Sequence, residues 1–112
     1  EIETKKIEFD NAAFGIIGLE SAFGLIVKNL DQHLKINQII DKISVNPRKI
    51  LGLKQNSIEV GNTANITLFD PSMEWIFNED SIKSKSMNSP FIGDKLKGKA
   101  LAIYNNNQFM EL

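Results

Sequence analysis

The chain has 112 residues, 42% hydrophobic and 24% charged, a balance that fits a globular protein and not a disordered tail. Its net charge of −1, from 13 basic and 14 acidic side chains, leaves no basic footprint for nucleic acid or an anionic membrane. Cysteine is absent, which excludes a disulfide framework and a thiolate metal site and fits the cytoplasm. The longest apolar run, around Ala22 to Val27, is far shorter than the ~20 residues of a membrane-spanning helix.

In chain order, Glu1 to Phe9 is dense in charge and reads as a loop, followed by an apolar, glycine-bearing stretch at 11–18. Leu19, Ala22, Phe23, Ile26 and Leu30 then recur at helical spacing and predict an amphipathic helix with that apolar face inward. Gly24 within it marks a close approach to a neighbour. Ile36, Ile39, Ile40 and Ile43 follow the i, i+3, i+4, i+7 rule and predict a second helix. Asn46-Pro47 predicts the N-cap and first position of a third, short helix, and Gly52 its left-handed end.

Beyond residue 54 the apolar period becomes two. Ser57–Val60 reads as a short strand, Gly61-Asn62 as a turn, and 64–69 as a half-buried strand that Asp70-Pro71 breaks. In that strand Ile66 and Leu68 face inward, with Trp75 nearby. Met73 to Phe77 is a further strand stopped by Asn78-Glu79-Asp80, and 81–90 is a polar loop. Ala100–Tyr104 and Gln108–Leu112 flank Asn105-Asn106-Asn107, a hairpin turn, since asparagine tolerates positive φ. Helices first and strands second argue for α+β or for two structural units.

Four segments of the chain form motifs. They are Asn11-Ala12-Ala13-Phe14-Gly15-Ile16-Ile17-Gly18-Leu19-Glu20, Asn46-Pro47-Arg48-Lys49-Ile50-Leu51-Gly52-Leu53, Ala64-Asn65-Ile66-Thr67-Leu68-Phe69-Asp70, and a tail. The tail holds Trp75, then Ser84-Lys85-Ser86-Met87-Asn88-Ser89-Pro90-Phe91-Ile92-Gly93, then Leu96-Lys97-Gly98-Lys99. These segments resemble those of dihydroorotases of the amidohydrolase superfamily and stand in that family's order across essentially the whole chain; hydantoinases and allantoinases share much of the pattern and are a further alternative.

The resemblance implies an α/β parent: a metal-dependent (β/α)8 barrel plus a small β-sandwich built from both chain ends. Residues 1–55 would supply the last βα loop and terminal helices of the barrel, and 56–112 the C-terminal strands of the sandwich. Barrel active sites lie on such βα loops. Paired zinc ions would polarise the amide carbonyl and supply hydroxide. The chain is read as a C-terminal piece starting at Glu1 just after the last metal ligand, so no catalytic residue and no metal ligand is expected in it, and by itself it should be inactive. The family's Pro-Phe-Gly substrate site maps onto Ala13, Phe14 and Gly15, with Ala13 replacing the proline; this frees φ and restores an N–H. Implied partners are the remainder of the barrel, dihydroorotate or carbamoyl aspartate as substrate, and a second copy in a homodimer. Aspartate carbamoyltransferase is the partner if the parent is an inactive assembly subunit.

The remaining features have simpler readings. Arg48 is a solvated helix residue, His33 a surface histidine, and Glu8 and Asp10 are solvated loop charges and not an acid/base pair. Trp75 is a core anchor. Ser84–Gly93 carries no nucleophile with a base beside it and reads as a structural tie between the two units.

Overall fold

The computed structural model describes residues 3–55 and 57–112. Glu1 and Ile2 of the expected opening loop, and Asn56 at the expected domain boundary, lie outside the described residues. Two short 3-10 turns, Glu3–Lys5 and Phe9–Asn11, lead to an extended stretch and then to α1, Leu19–Leu30.

The face of α1 that packs inward is not the predicted one. Ser21, Gly24 and Val27 are buried, while Leu19 is 88% exposed. Small size decides this. A Cβ on Gly24 would sit 3.0 Å from Leu96 Cβ and 3.2 Å from the Gly98 carbonyl, so the helix rides almost on the strand backbone there. Gly98 answers it from the strand, with φ +87 and an imagined Cβ 3.0 Å from Val27. The expected close approach at Gly24 is thus present, with Val27 buried beside it and Leu25 packed on the core. Of the predicted face, Phe23 keeps a sheet contact, edge-on to Phe69 with ring centroids 5.1 Å apart.

Lys35, in extended conformation, precedes α2 (Ile36–Ile40), and Gln38 Oε1 accepts its N–H at 2.9 Å. Ile39 is buried, as its spacing predicts. The chain then stays helical through a π stretch, Asp41–Val45, into α3, Asn46–Ile50. Asn46 is therefore not an N-cap. Its φ of −67° and ψ of −43° are helical, and its N–H reaches back to the Asp41 carbonyl. The widened turn just before Pro47 is where a proline, which lacks an N–H and crowds the preceding turn, can be taken into a continuous helix. The predicted end holds. Gly52 N–H donates to the Lys49 carbonyl at 3.1 Å and Leu53 N–H to the Arg48 carbonyl at 2.8 Å, the paired bonds of a Schellman cap.

Ser57–Val60 is not a strand: it is irregular and exposed, with Val60 at 107%. The turn at Gly61-Asn62 is present, closed by Asn62 N–H to the Glu59 carbonyl at 3.2 Å.

One antiparallel sheet follows, ordered β1 (Ile66–Ile76), β2 (Lys95–Asn105), β3 (Gln108–Glu111). Asp70-Pro71 does not end β1. The pairing runs Asp70 to Lys99 and resumes Glu74 to Lys97, with a register shift between. Proline's missing donor falls in that unpaired step, where Asp70 Oδ1 accepts the Ser72 N–H at 2.7 Å. The predicted inward face of β1 is also reversed. Ile66 and Leu68 are exposed, and Phe69 turns to α1. Trp75 is half-buried: its Nε1–H donates to the Gly98 carbonyl at 3.0 Å, and Lys99 Nζ lies 5.3 Å from the ring centroid.

A 3-10 turn, Glu79–Ser81, stops the chain after β1, with Asn78 Oδ1 accepting from Ser81 N–H. The polar loop after it, the early start of β2 at Lys95, and the tight β2–β3 hairpin complete the chain. Asn106 at φ 50° and Asn107 at φ 58° occupy the two left-handed positions of the hairpin, as their chemistry predicts. The core is Phe77, Ile82 and Leu96, with Ile17, Leu25, Trp75 and Phe91 packed against it, so it draws on both halves of the chain. Lys97 pairs with Asp31 at the end of α1; the Lys97 ammonium holds the Asp31 carboxyl below its usual value, and Asp31 holds Lys97 above its own.

Candidate functional site

Residues 12–18, extended and largely exposed, run from the second 3-10 turn to Gly18 at the head of α1. Hydrogen bonds pin this loop at both ends. On the N-terminal side, Ala13 N–H donates to the Thr4 carbonyl at 3.0 Å, and Lys5 Nζ donates to the Ala13 carbonyl. The amide that alanine restores in place of proline is therefore in use, and a hydrogen bond does the fixing that a ring would otherwise do.

On the C-terminal side the partner is Asn88. Its Nδ2 donates to the Gly15 carbonyl at 2.9 Å, and its own carbonyl accepts from Ile17 N–H at 2.9 Å. Gly15 between these anchors has φ +91, a left-handed conformation that costs a side-chain-bearing residue ~1–2 kcal/mol. No heavy atom lies within 4 Å of where its Cβ would be, and Phe14 beside it is 98% exposed. Loop and ring face open space.

Ala13, Phe14 and Gly15 are thus brought together, two of them carrying free surface. The amides of Phe14 and Gly15 have no acceptor among the described residues. What such an arrangement can do is plain chemistry: two N–H donors and an aromatic face suit a small planar ligand carrying carbonyl or carboxylate oxygens.

The segment that carries Asn88 is itself held by α1. Glu20, in the first turn of the helix, accepts on Oε1 from Ser84 Oγ at 2.7 Å, Ser84 N–H at 2.8 Å and Lys83 N–H at 3.2 Å. The Ser84 hydroxyl, chiefly, holds the Glu20 carboxyl below the usual glutamate value, and burial opposes it. Oε2 is buried without a hydrogen-bond partner among the described residues. Further along, Ser86 Oγ accepts from Asn88 N–H and Ser89 Oγ from Phe91 N–H, both at 3.3 Å. Ser86 and Ser89 thus bind backbone amides, and Ser84 binds the Glu20 carboxylate.

Asn88 and Glu20 are the residues sequence reasoning did not single out. Both lie inside the segments noted above, but their partners are 73 and 64 residues away, and no periodicity links them. His33, Glu8 and Asp10 are exposed, as read from sequence. Arg48 is half-buried and its Nε donates to the Lys54 carbonyl at 3.2 Å, so it braces the end of α3 and is not simply solvated. A cleft of about 400 Å³ lies between the π–α3 segment and residues 57–67, lined by Arg48, Glu59 and Asn62 among others. It does not touch residues 13–15, and it holds no paired carboxylates or histidine, so the chemistry of the loop is a better guide than the size of the cleft. Among the described residues no group of three or more His, Asp or Glu side chains could hold a metal ion. Nor is any helix of the described residues long and apolar enough to cross a membrane.

Comparison with known proteins bears on this geometry. A model of the amidohydrolase family matches residues 6–104. Curated relatives named dihydroorotase include those of Chlorobaculum tepidum, 47% identical over 90% of this chain, and Acetivibrio thermocellus, 42% identical over 94%. That of Geobacter sp. strain M21 is 41% identical over 88%. The chain spans about a quarter of the length of these relatives, 24%, 25% and 24% respectively. Among solved structures, one of a D-hydantoinase superposes with a TM-score of 0.80 at 19% identity, covering 97% of this chain and 24% of that one; this likeness is one of fold.

Proposed function

We propose, from the premise that this chain belongs to the amidohydrolase family, that the full-length protein is a dihydroorotase, opening and closing the cyclic amide of dihydroorotate in pyrimidine synthesis. The observation that carries the reading is 47% and 42% identity, over 90% and 94% of this chain, to relatives bearing that name. Relatives of that identity are a closer guide to ring specificity than a hydantoinase related at 19%.

In this reading residues 1–55 complete a (β/α)8 barrel and 56–112 contribute strands to a β-sandwich. The loop at Ala13, Phe14 and Gly15 lies over the pyrimidine ring, with Phe14 and Gly15 offering their amides to its oxygens. Zinc would polarise the scissile amide. The described residues of this chain do not fit a zinc site, so its ligands belong to other parts of the full-length protein, and this stretch alone is inactive. The protein works in the cytoplasm as a homodimer. A second reading, an inactive subunit assembled with aspartate carbamoyltransferase, draws on Ala13 standing where the family pattern has proline.

The test is made on the purified full-length protein, following interconversion of dihydroorotate and carbamoyl aspartate without added partners. Turnover is expected. Gly15→Val should raise KM for dihydroorotate or abolish turnover while metal content stays unchanged, since it touches no metal ligand and crowds the approach to the backbone. Wild-type protein that binds zinc but turns nothing over, and that forms a complex with aspartate carbamoyltransferase, would overturn this reading for the second.

A further inference from the structure

We propose that Asn88 is a positioning residue that sets the shape of the 13–17 loop for substrate, an inference that rests on the reading of Ala13, Phe14 and Gly15 as substrate contacts. Asn88 holds the loop from both directions of hydrogen bonding. Its side chain donates to the Gly15 carbonyl and its main chain accepts from Ile17 N–H, each at 2.9 Å. Two bonds from one residue to positions 15 and 17 fix the peptide planes on either side of residue 16. They also hold Gly15 at φ +91, one of several conformations open to a glycine. No heavy atom lies within 4 Å of where a Gly15 Cβ would stand, and Phe14 is 98% exposed, so side-chain packing at these two positions does not do this task.

Asn88 is in turn fixed from below. Ser86 Oγ accepts its N–H, and Glu20 gathers Lys83 and Ser84 onto the first turn of α1, the helix into which the loop runs. The result is a closed circuit: loop to Asn88, Asn88 through Ser84 to Glu20, and Glu20 through Gly18 back to the loop. A loop held this way presents the Phe14 and Gly15 amides without an ordering cost at the moment of binding. Losing one neutral hydrogen bond of the circuit corresponds to about a fivefold change in an equilibrium constant.

The experiment uses the full-length protein and compares Asn88→Ala, Asn88→Asp and Gly15→Val with wild type. Asn88→Asp keeps the size of the side chain but sets a carboxylate against the Gly15 carbonyl, and it carries the test if the alanine variant folds poorly. Both Asn88 variants should raise KM for dihydroorotate about five- to tenfold, with kcat changed less than about twofold, metal content unchanged, and faster amide hydrogen exchange at 14–17 but not within α1. Damage to folding alone would lower the active fraction, and so kcat, and leave KM in place. If Gly15→Val raises KM and neither Asn88 variant does, the positioning role is wrong and the loop reading stands. If Gly15→Val leaves KM and kcat alone, or wild type shows no turnover, the loop reading fails and the positioning role falls with it.

Discussion

Gly98 is the residue on which the packing of the two halves turns. It combines φ +87 with a position where an added Cβ would lie 3.0 Å from both Cβ and Cγ2 of Val27, so any side chain there is both strained and crowded. Gly98→Ala should destabilise the full-length protein by about 1–3 kcal/mol, the usual range for overpacking a tight core, as read from the urea midpoint. A shift below about 0.5 kcal/mol would mean that α1 can back off from β2 without loss. Glu20 makes a different kind of prediction. Its carboxyl lies below the usual value when folded, so its stabilising effect is complete above the unfolded value of ~4.3. That contribution fades as pH falls from there through the folded value, because protonation removes the charge that Ser84 and Lys83 donate to. Acid titration from pH 5 to pH 3 should therefore lower the amide-exchange protection factors of 83–88, the intrinsic rate at each pH being divided out, and Glu20→Gln should flatten that response. An identical acid response in the two proteins would show that Glu20 is not the titrating group.

At the scale of elements, the β2–β3 hairpin depends on two consecutive left-handed residues, Asn106 and Asn107. Asn107→Gly should be tolerated, whereas Asn107→Val should cost about 1–2 kcal/mol, since a β-branched residue is poorly accommodated in that region; thermal unfolding of the full-length protein distinguishes the two. The continuous helix from α2 to α3 shows a further point about elements. Asn46-Pro47 has the chemistry of a helix start, yet the preceding turn is helical too and widens to admit the ring. A cap is a preference of one end; it does not force the chain before it to unwind.

For the molecule as a whole, the radius of gyration is 16.6 Å, against roughly 13 Å for a self-contained domain of this length. Large apolar side chains lie bare, among them Phe9, Phe14, Leu19, Ile50, Ile58 and Val60, and apolar surface of that extent drives association. The 112-residue chain expressed alone should thus self-associate at micromolar concentration, as followed by sedimentation velocity. A monodisperse monomer with one cooperative unfolding transition would contradict this.

Local chemistry determined much of this protein by itself. The Schellman end at Gly52, the asparagine hairpin, the burial of Ile39 and the tight approach at Gly24 all follow from residue type and spacing over a few positions, because backbone conformation and short periodicities are local properties. The family pattern likewise placed the chain among amidohydrolases. Tertiary structure alone decided which side of α1 and of β1 is inside. The apolar stripe Leu19, Ala22 and Ile26 is the more hydrophobic face of α1, but Ser21, Gly24 and Val27 meet the strand, since close approach selects for small size over hydrophobicity. Ile66 and Leu68 alternate as a buried face should, yet α1 covers the face of Phe69: a period of two states that two faces differ, not which is covered. The Glu20–Ser84 and Asn88–Gly15 ties join residues 64 and 73 positions apart, and only the folded chain brings such partners within a hydrogen bond.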